Sequence, residues 1–419
     1  MPIAVPGRED KIIRVKAESP AYGGLTIGRY MGKVVMIKGA VPGETVDARI
    51  DSEKKDYLTA STVNVLDISP DRVEPVCLHF GLCGGCHLQY MSYQRQVSLK
   101  EEVLRECLRR IAKLDIRLDE ALTGAPWNYR HRAQFKVSNG KIGFYREKSR
   151  DIIEVKSCPL MVEEINEGVR KAAGLLKGMD VEELHITSGE SGTALLVKAA
   201  RGAKGGWKGA SGSFLGGGFS GLIIEPGVGK PLEYGNKYLA FGLAGLRYTV
   251  SANSFFQGHW RLNQALVKLV TEALEPLAGK MVVDLFSGAG NFSLPIAVHA
   301  GEVVAVEESP PAVEDGKRNA LANGILNCSF VRSDTSCFKF DGSIDVLVMD
   351  PPRTGLPDGV LEKILRWKPG KIAYVSCNPA SLSRDLKGLS SRYEIESMRM
   401  VDFFPQTYHL EALALLRRK

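Results

Sequence analysis

The order of apolar and polar positions divides the chain into three stretches. Over residues 8–66 short runs dominate. Residues 12–17 alternate apolar with basic side chains, and runs at 34–37, 45–50 and 59–66 follow, separated by turns such as Pro42-Gly43. Period-two runs with regular turn signals predict the short strands of a small β-barrel. The prolines of 69–75 mark a linker. Val97, Leu104, Leu108 and Ile111 then recur at helical spacing, which predicts a long amphipathic helix over 89–116 that packs on the C-terminal part of the chain. Residues 129–250 contain further strands. A glycine- and serine-rich stretch within them, 202–221, reads as a flexible loop or insertion. From about 254 a helix leads into alternating strands and helices, the pattern of a parallel sheet with crossover helices. The expected organisation is multidomain: an OB-like β-barrel over 1–68, an α+β central region over 69–253, and a C-terminal α/β, Rossmann-like domain over 254–419.

The C-terminal strands end in acids. The apolar run 281–286 contains Asp284 and precedes the tight turn Ser287-Gly288-Ala289-Gly290-Asn291. Glycines there let the backbone approach a ligand closely. The next strand ends in Glu307, about twenty residues past the loop, where an acid suits the two hydroxyls of a ribose. A third leads to Asp334, placed to meet an adenine edge, and a fourth to Asp350-Pro351-Pro352-Arg353. The loop lacks the third glycine of the dinucleotide fingerprint. Together these features look like the S-adenosylmethionine fold of class I methyltransferases, with the ligand at the carboxyl ends of the strands.

Cys377, in Val375-Ser376-Cys377-Asn378-Pro379, offers a particular chemistry. Carbon C5 of uracil is too weak a nucleophile to attack a methyl sulfonium. A thiolate adding to C6 makes an enolate, and C5 then becomes nucleophilic. A base must afterwards remove the C5 proton so that the cysteine can leave. Cys377 and Glu411 supply thiolate and base, while Asp350 and Gln257 are candidates for positioning base and cofactor. Asp-Pro-Pro also occurs in enzymes that methylate amino groups, but Arg353 stands where those carry an aromatic residue.

Cys77-x5-Cys83-x2-Cys86 with Cys158 supplies four more thiols, a set that suits zinc or a [4Fe–4S] cluster. Cys107, Cys328 and Cys337 read as packing residues, and no disulfide framework is expected in a reducing compartment. The stretch 127–136 interleaves Trp127, Tyr129 and Phe135 with Arg130, Arg132 and Lys136. That mixture suits phosphate contacts with base stacking. A net charge of +7 permits a polyanionic partner without requiring one. No run approaches the ~18 apolar residues of a membrane helix, and residues 1–7 lack an export pattern. The expectation is therefore a cytoplasmic protein without membrane contact, with a monomer as the default.

Asp350-Pro351-Pro352-Arg353, Ser376-Cys377-Asn378-Pro379 and Phe404-Pro405-Gln406-Thr407-x-His409-x-Glu411 resemble the RNA 5-methyluridine methyltransferase family. So do Ser254-Phe255-Phe256-Gln257 and the run 284–292, so the resemblance covers 254–419 almost continuously. It implies a nucleophile at Cys377, a base at Glu411, and a cofactor pocket lined by Gln257, Phe286, Gly288, Asn291, Glu307, Asp334 and Asp350. Asp334 stands where relatives often have asparagine. Cys83-Gly84-Gly85-Cys86 with Cys158-Pro159 resembles the iron–sulfur members, which implies a [4Fe–4S] cluster on Cys77, Cys83, Cys86 and Cys158. Gly23-Gly24 and the run 38–44 resemble a TRAM domain, an RNA-binding module. The Tyr-Arg-x-Arg run resembles the family's central domain and implies RNA contacts at Tyr129, Arg130, Arg132 and Phe135. The target uridine is expected to be unpaired or flipped out. Barrel and cluster together resemble ribosomal RNA members more than transfer RNA members. The alternatives are transfer RNA, a methyltransferase of another target class, and a catalytically silent RNA-binding protein.

Overall fold

The computed structural model describes residues 11–203, 207–254 and 256–419; residues 1–7 and Phe255, discussed above, lie outside them. The N-terminal strands form a six-stranded, barrel-like sheet. Its order is Ile12–Lys16, Thr45–Glu53, Tyr57–Asp67, Lys33–Lys38, Leu25–Tyr30, Ser19–Ala21. Alternation does what it predicts: Ile13 and Val15 are buried while Ile12, Arg14 and Lys16 face outward. Gly28 lets strands cross closely, since a Cβ there would lie 2.4 Å from the Lys16 carbonyl oxygen.

The central region is a seven-stranded sheet in the order Ile152–Glu154, Lys141–Tyr145, Arg132–Ser138, Val181–Gly189, Gly192–Ala199, Gly221–Glu225, Leu232–Gly235. Here the structure corrects the reading of 202–221. Gly192–Ala199 and Gly221–Glu225 are parallel, so the chain must cross over between them. The crossover carries the helix Trp207–Gly216. Trp207 and Phe214, two helical turns apart, are buried and anchor it to the sheet despite the surrounding glycines.

The C-terminal sheet has eight strands: Cys328–Arg332, Glu302–Glu307, Met281–Leu285, Val346–Met349, Lys371–Ser376, Glu411–Arg418, Tyr393–Val401, Asp119–Leu122. The first five are parallel. Glu411–Arg418 is antiparallel to both of its neighbours. This reversal matters for the site. Asp350 and Cys377 follow the carboxyl ends of parallel strands, whereas Glu411 begins its strand, and running it backwards brings its start to the same edge. Apolar clusters cover both faces of the sheet.

The predicted helix over 89–116 is shorter, Tyr93–Cys107, and continues as a π-helical turn, Leu108–Ala112. Leu104 and Leu108 pack with Leu382, Leu386 and Leu389 of the helix Pro379–Leu389, so it does lie on the C-terminal sheet domain. All eight cysteines are free. Cys107 and Cys328 are half-buried, but Cys337 is exposed and does not pack against the sheet as expected. No described helix is long and apolar enough to cross a membrane.

Candidate active site and cysteine cavity

A cavity of about 600 Å³ opens at the shared edge of the C-terminal sheet. Gln257, Phe286, Gly288, Asn291, Glu307, Asp334, Asp350, Cys377 and Glu411 all line it. The sequence-predicted cofactor and catalytic residues are therefore brought together, although they span more than a third of the chain.

One wall is the glycine turn. Phe286 adopts φ +64° and Gly288 φ +56°, left-handed conformations that make the tight turn at the end of the strand. Glu307 accepts the N–H of Gly288 (3.0 Å) and of Ser309 (2.8 Å), which fixes its carboxylate beside the turn. Asn291 exchanges two amide hydrogen bonds with Asn263, at 2.7 and 3.1 Å. Asp334 lines the cavity but spends one oxygen on the N–H of Ser336, 2.7 Å away. Hydrogen bonding by Ser336, through its side chain first and its backbone N–H second, draws the Asp334 carboxyl below the usual range.

The opposite wall carries Asp350, Cys377 and Glu411. Asn378 organises it: its side-chain oxygen accepts the Ala380 N–H (3.0 Å) and caps the helix Pro379–Leu389, while its amide donates to the Arg353 carbonyl (3.0 Å). One side chain thus ties the Asp350-Pro351-Pro352-Arg353 turn to the segment bearing Cys377. Cys377 sits just before the cap, near the positive end of the helix. Burial still pushes its thiol up to about 11, with Glu411 and Asp350 adding to the rise and Arg353 opposing it. Burial likewise holds the Glu411 carboxyl well above the ordinary range, reinforced by Asp350 and opposed by Arg353. Asp350 is pushed up to about 7 by burial. Glu411 is 4% exposed, and its Oε2 has no hydrogen-bond partner among the described residues.

Sequence reasoning missed part of the lining. Phe256, Phe404 and His409 also face the cavity, and Phe256 stacks on Trp260 at 4.5 Å. Arg353 was noted as a motif residue and a missing aromatic, with no role of its own. It reaches His409, donating to Nδ1 at 3.4 Å, and is the cation that faces both Cys377 and Glu411.

The proposed stacking residues are corrected. Tyr129 is 4% exposed and Phe135 0%. In Arg132–Ser138 the period of two sends Ala133, Phe135 and Val137 into the core, while Arg132 and Lys136 are only partly covered and Gln134 is exposed. Tyr129 stacks on His259 at 4.6 Å and donates its hydroxyl to the Pro405 carbonyl at 3.2 Å. Neither ring can stack on a base. Arg132 is half-buried and donates to the Ser254 carbonyl. Arg130 is half-buried at the second cavity.

That second cavity, about 270 Å³, is lined by Cys77, Cys83, Cys86 and Cys158. Among the described residues no three His, Cys, Asp or Glu side chains are arranged to hold a single metal ion. The Cys77 N–H donates to Gln89 Oε1 at 3.0 Å, and the Cys158 N–H to Asn166 Oδ1 at 2.9 Å. Both cysteines are thereby fixed by their own backbones.

Sheet order, glycine turn and acidic cradle define a class I, S-adenosylmethionine-dependent methyltransferase. The family profile for tRNA (Uracil-5-)-methyltransferase matches residues 232–342 and 338–419, and that of the TRAM domain matches 8–63. A Shewanella amazonensis protein described as 23S rRNA (uracil(1939)-C(5))-methyltransferase RlmD is 34% identical over 96% of this chain and 95% of its own. An uncharacterized RNA methyltransferase of Aquifex aeolicus is 32% identical over 98% of this chain and 100% of its own. The crystal structure of Pyrococcus abyssi tRNA (uracil-54, C5)-methyltransferase with S-adenosyl-L-homocysteine superposes with a TM-score of 0.78. It is 23% identical and covers 96% of this chain and 99% of that one, a likeness of fold. The chain belongs to the S-adenosylmethionine-dependent RNA (uracil-5-)-methyltransferase family.

Proposed function

We propose that this cytoplasmic enzyme methylates C5 of one uridine in 23S ribosomal RNA, with Cys377 as nucleophile and Glu411 as base. The observation that carries the reading is the meeting of Cys377, Asp350, Glu411 and Arg353 on one wall of a cavity whose other wall is an S-adenosylmethionine cradle. Full-length likeness to proteins described as 23S rRNA methyltransferases supports the ribosomal target.

When bound, S-adenosylmethionine supplies an electrophilic methyl group. Gln257, Phe286, Gly288, Asn291, Glu307 and Asp334 would hold it, with Glu307 toward the ribose. Arg353 and the adjacent helix terminus favour the Cys377 thiolate. The thiolate adds to C6, and the C5–C6 π electrons move toward O4 as an enolate. C5 forms its bond to the methyl group as the methyl–sulfonium bond breaks. Glu411 then takes the C5 proton, the C6–S bond breaks, and the thiolate is regenerated. Phe256 and Phe404 offer apolar faces to a uracil that has left its stack.

We further propose that Cys77, Cys83, Cys86 and Cys158 hold a [4Fe–4S] cluster. Four thiols spread around a cavity of this size suit a polynuclear cluster better than one tetrahedral zinc with Zn–S bonds of about 2.3 Å. Methyl transfer moves no net electrons, so the cluster's role is structural.

Mapping 5-methyluridine in RNA from a strain lacking the gene tests the target. The expected result is loss at one 23S position with transfer RNA unchanged. Loss in transfer RNA instead would redirect the substrate, and no loss in either would overturn C5 methylation.

A further inference from the structure

The loop that delivers Glu411 is held from outside the C-terminal sheet. Gln406 sits at its bend with φ +68°. The Gln406 carbonyl accepts the N–H of His87 (2.9 Å) and of Leu88 (3.0 Å). Both donors follow directly on Cys86. Gln96, fully buried on the helix Tyr93–Cys107, closes the junction from beneath. Its Oε1 accepts the Gln406 N–H at 2.9 Å. Its amide donates to Gln406 Oε1 (2.9 Å), to the Met91 carbonyl (2.9 Å) and to the Leu88 carbonyl (3.1 Å). One glutamine side chain thus grips both the loop leaving the cysteine cavity and the loop entering the active site. The His87 ring packs on Tyr408, 4.5 Å between centroids, and Tyr408 on His409 at 4.2 Å. A Cβ on Gly24 would touch both His87 and Tyr408, at 3.3 and 3.4 Å.

We propose that Gln96 is a positioning residue, and that through it and the His87 and Leu88 amides the order of the cysteine cavity sets the placement of Glu411. The inference rests on the reading of Glu411 as the base only for its catalytic consequence; the mechanical link stands on the hydrogen bonds. Among the described residues the Gln96 side chain makes no hydrogen bond to a cofactor-lining residue, so its loss is expected to leave the cradle intact. His409 and Glu411, three and five positions beyond Gln406, lose their fixed approach.

The test compares full-length Gln96→Met with the unaltered protein by amide hydrogen exchange, S-adenosylmethionine titration and steady-state kinetics. Methionine keeps the volume and removes all four hydrogen bonds. The expected result is at least tenfold faster exchange at the His87, Leu88 and Gln406 amides, a kcat lower by tenfold or more, and a cofactor Kd and RNA KM within about twofold of unaltered values. Cys158→Ala, on the far side of the cysteine cavity, is expected to quicken exchange at the same three amides. Gln96→Glu, which keeps the acceptor for the Gln406 N–H, is expected to recover part of the kcat lost in Gln96→Met. Unchanged exchange in Gln96→Met overturns the clamp, and a fall in cofactor affinity parallel to kcat reduces Gln96 to general stability. Exchange requires no chemistry, so it decides the clamp even if Glu411 proved not to be the base.

Discussion

Arg353 is the residue on which the chemistry of the site turns. In the proposed mechanism Cys377 acts as thiolate and Glu411 as carboxylate, yet burial raises both, Cys377 up to about 11. The Cys377 thiol is therefore largely protonated at neutrality, and methylation is expected to accelerate as pH rises from about 6 to 9. Arg353 works against the burial at both groups. Replacing it by glutamine raises both further, so the rising limb of the kcat/KM profile is expected to move to higher pH. An unmoved limb would remove Arg353 from this role. Cys377, Asp350 and Glu411 were legible in the sequence because each sits in a short motif at a strand end. The directions of Arg353 and His409 were not, because they depend on how the turn after Asp350 packs against a loop some fifty residues away.

Among the elements, the helix Tyr93–Cys107 has the largest structural task. Besides Gln96 it carries Lys100, whose ammonium lies 2.6 Å from Asp402 and 3.0 Å from the Phe404 carbonyl with no solvent exposure. Burial draws Lys100 down and Asp402 pulls it back up. Removing one partner of a buried pair typically costs ~3–5 kcal/mol, because the other charge is left unpaired. Lys100→Met is expected to lose that much in urea unfolding, and Lys100→Met with Asp402→Leu to regain most of it. A single mutant near the unaltered stability would contradict the pairing. The amphipathic spacing announced this helix, but nothing in that spacing singles out Gln96 and Lys100, which the fold turns inward. The opposite error occurred at Arg132–Ser138, where interleaved aromatic and basic residues are simply the two faces of one strand. At Trp207–Gly216 glycine content hid a crossover helix that two buried aromatics hold in place.

At the scale of the whole molecule, the barrel, the cysteine loop and the C-terminal sheet meet on the loop 402–411. The barrel reaches it through Gly24, the cysteine loop through His87 and Leu88, and the C-terminal sheet through Glu411 itself. The parallel strands were readable from the acids at their ends, whereas the reversal of Glu411–Arg418, which makes the site possible, leaves no mark in local pattern. If the four cysteines hold the proposed cluster, anaerobically purified protein is expected to be brown, with broad absorbance near ~400 nm and about four irons per chain. A colourless protein containing zinc would contradict it.

The central claim is covalent catalysis at C5 of uracil, and one experiment addresses it most directly. Glu411→Gln is incubated with 23S ribosomal RNA and S-adenosylmethionine, then resolved on a denaturing gel. The predicted result is a protein–RNA adduct that survives denaturation, carries the methyl label, and disappears in Glu411→Gln combined with Cys377→Ala. Glu411→Gln that turns over normally without an adduct would contradict it.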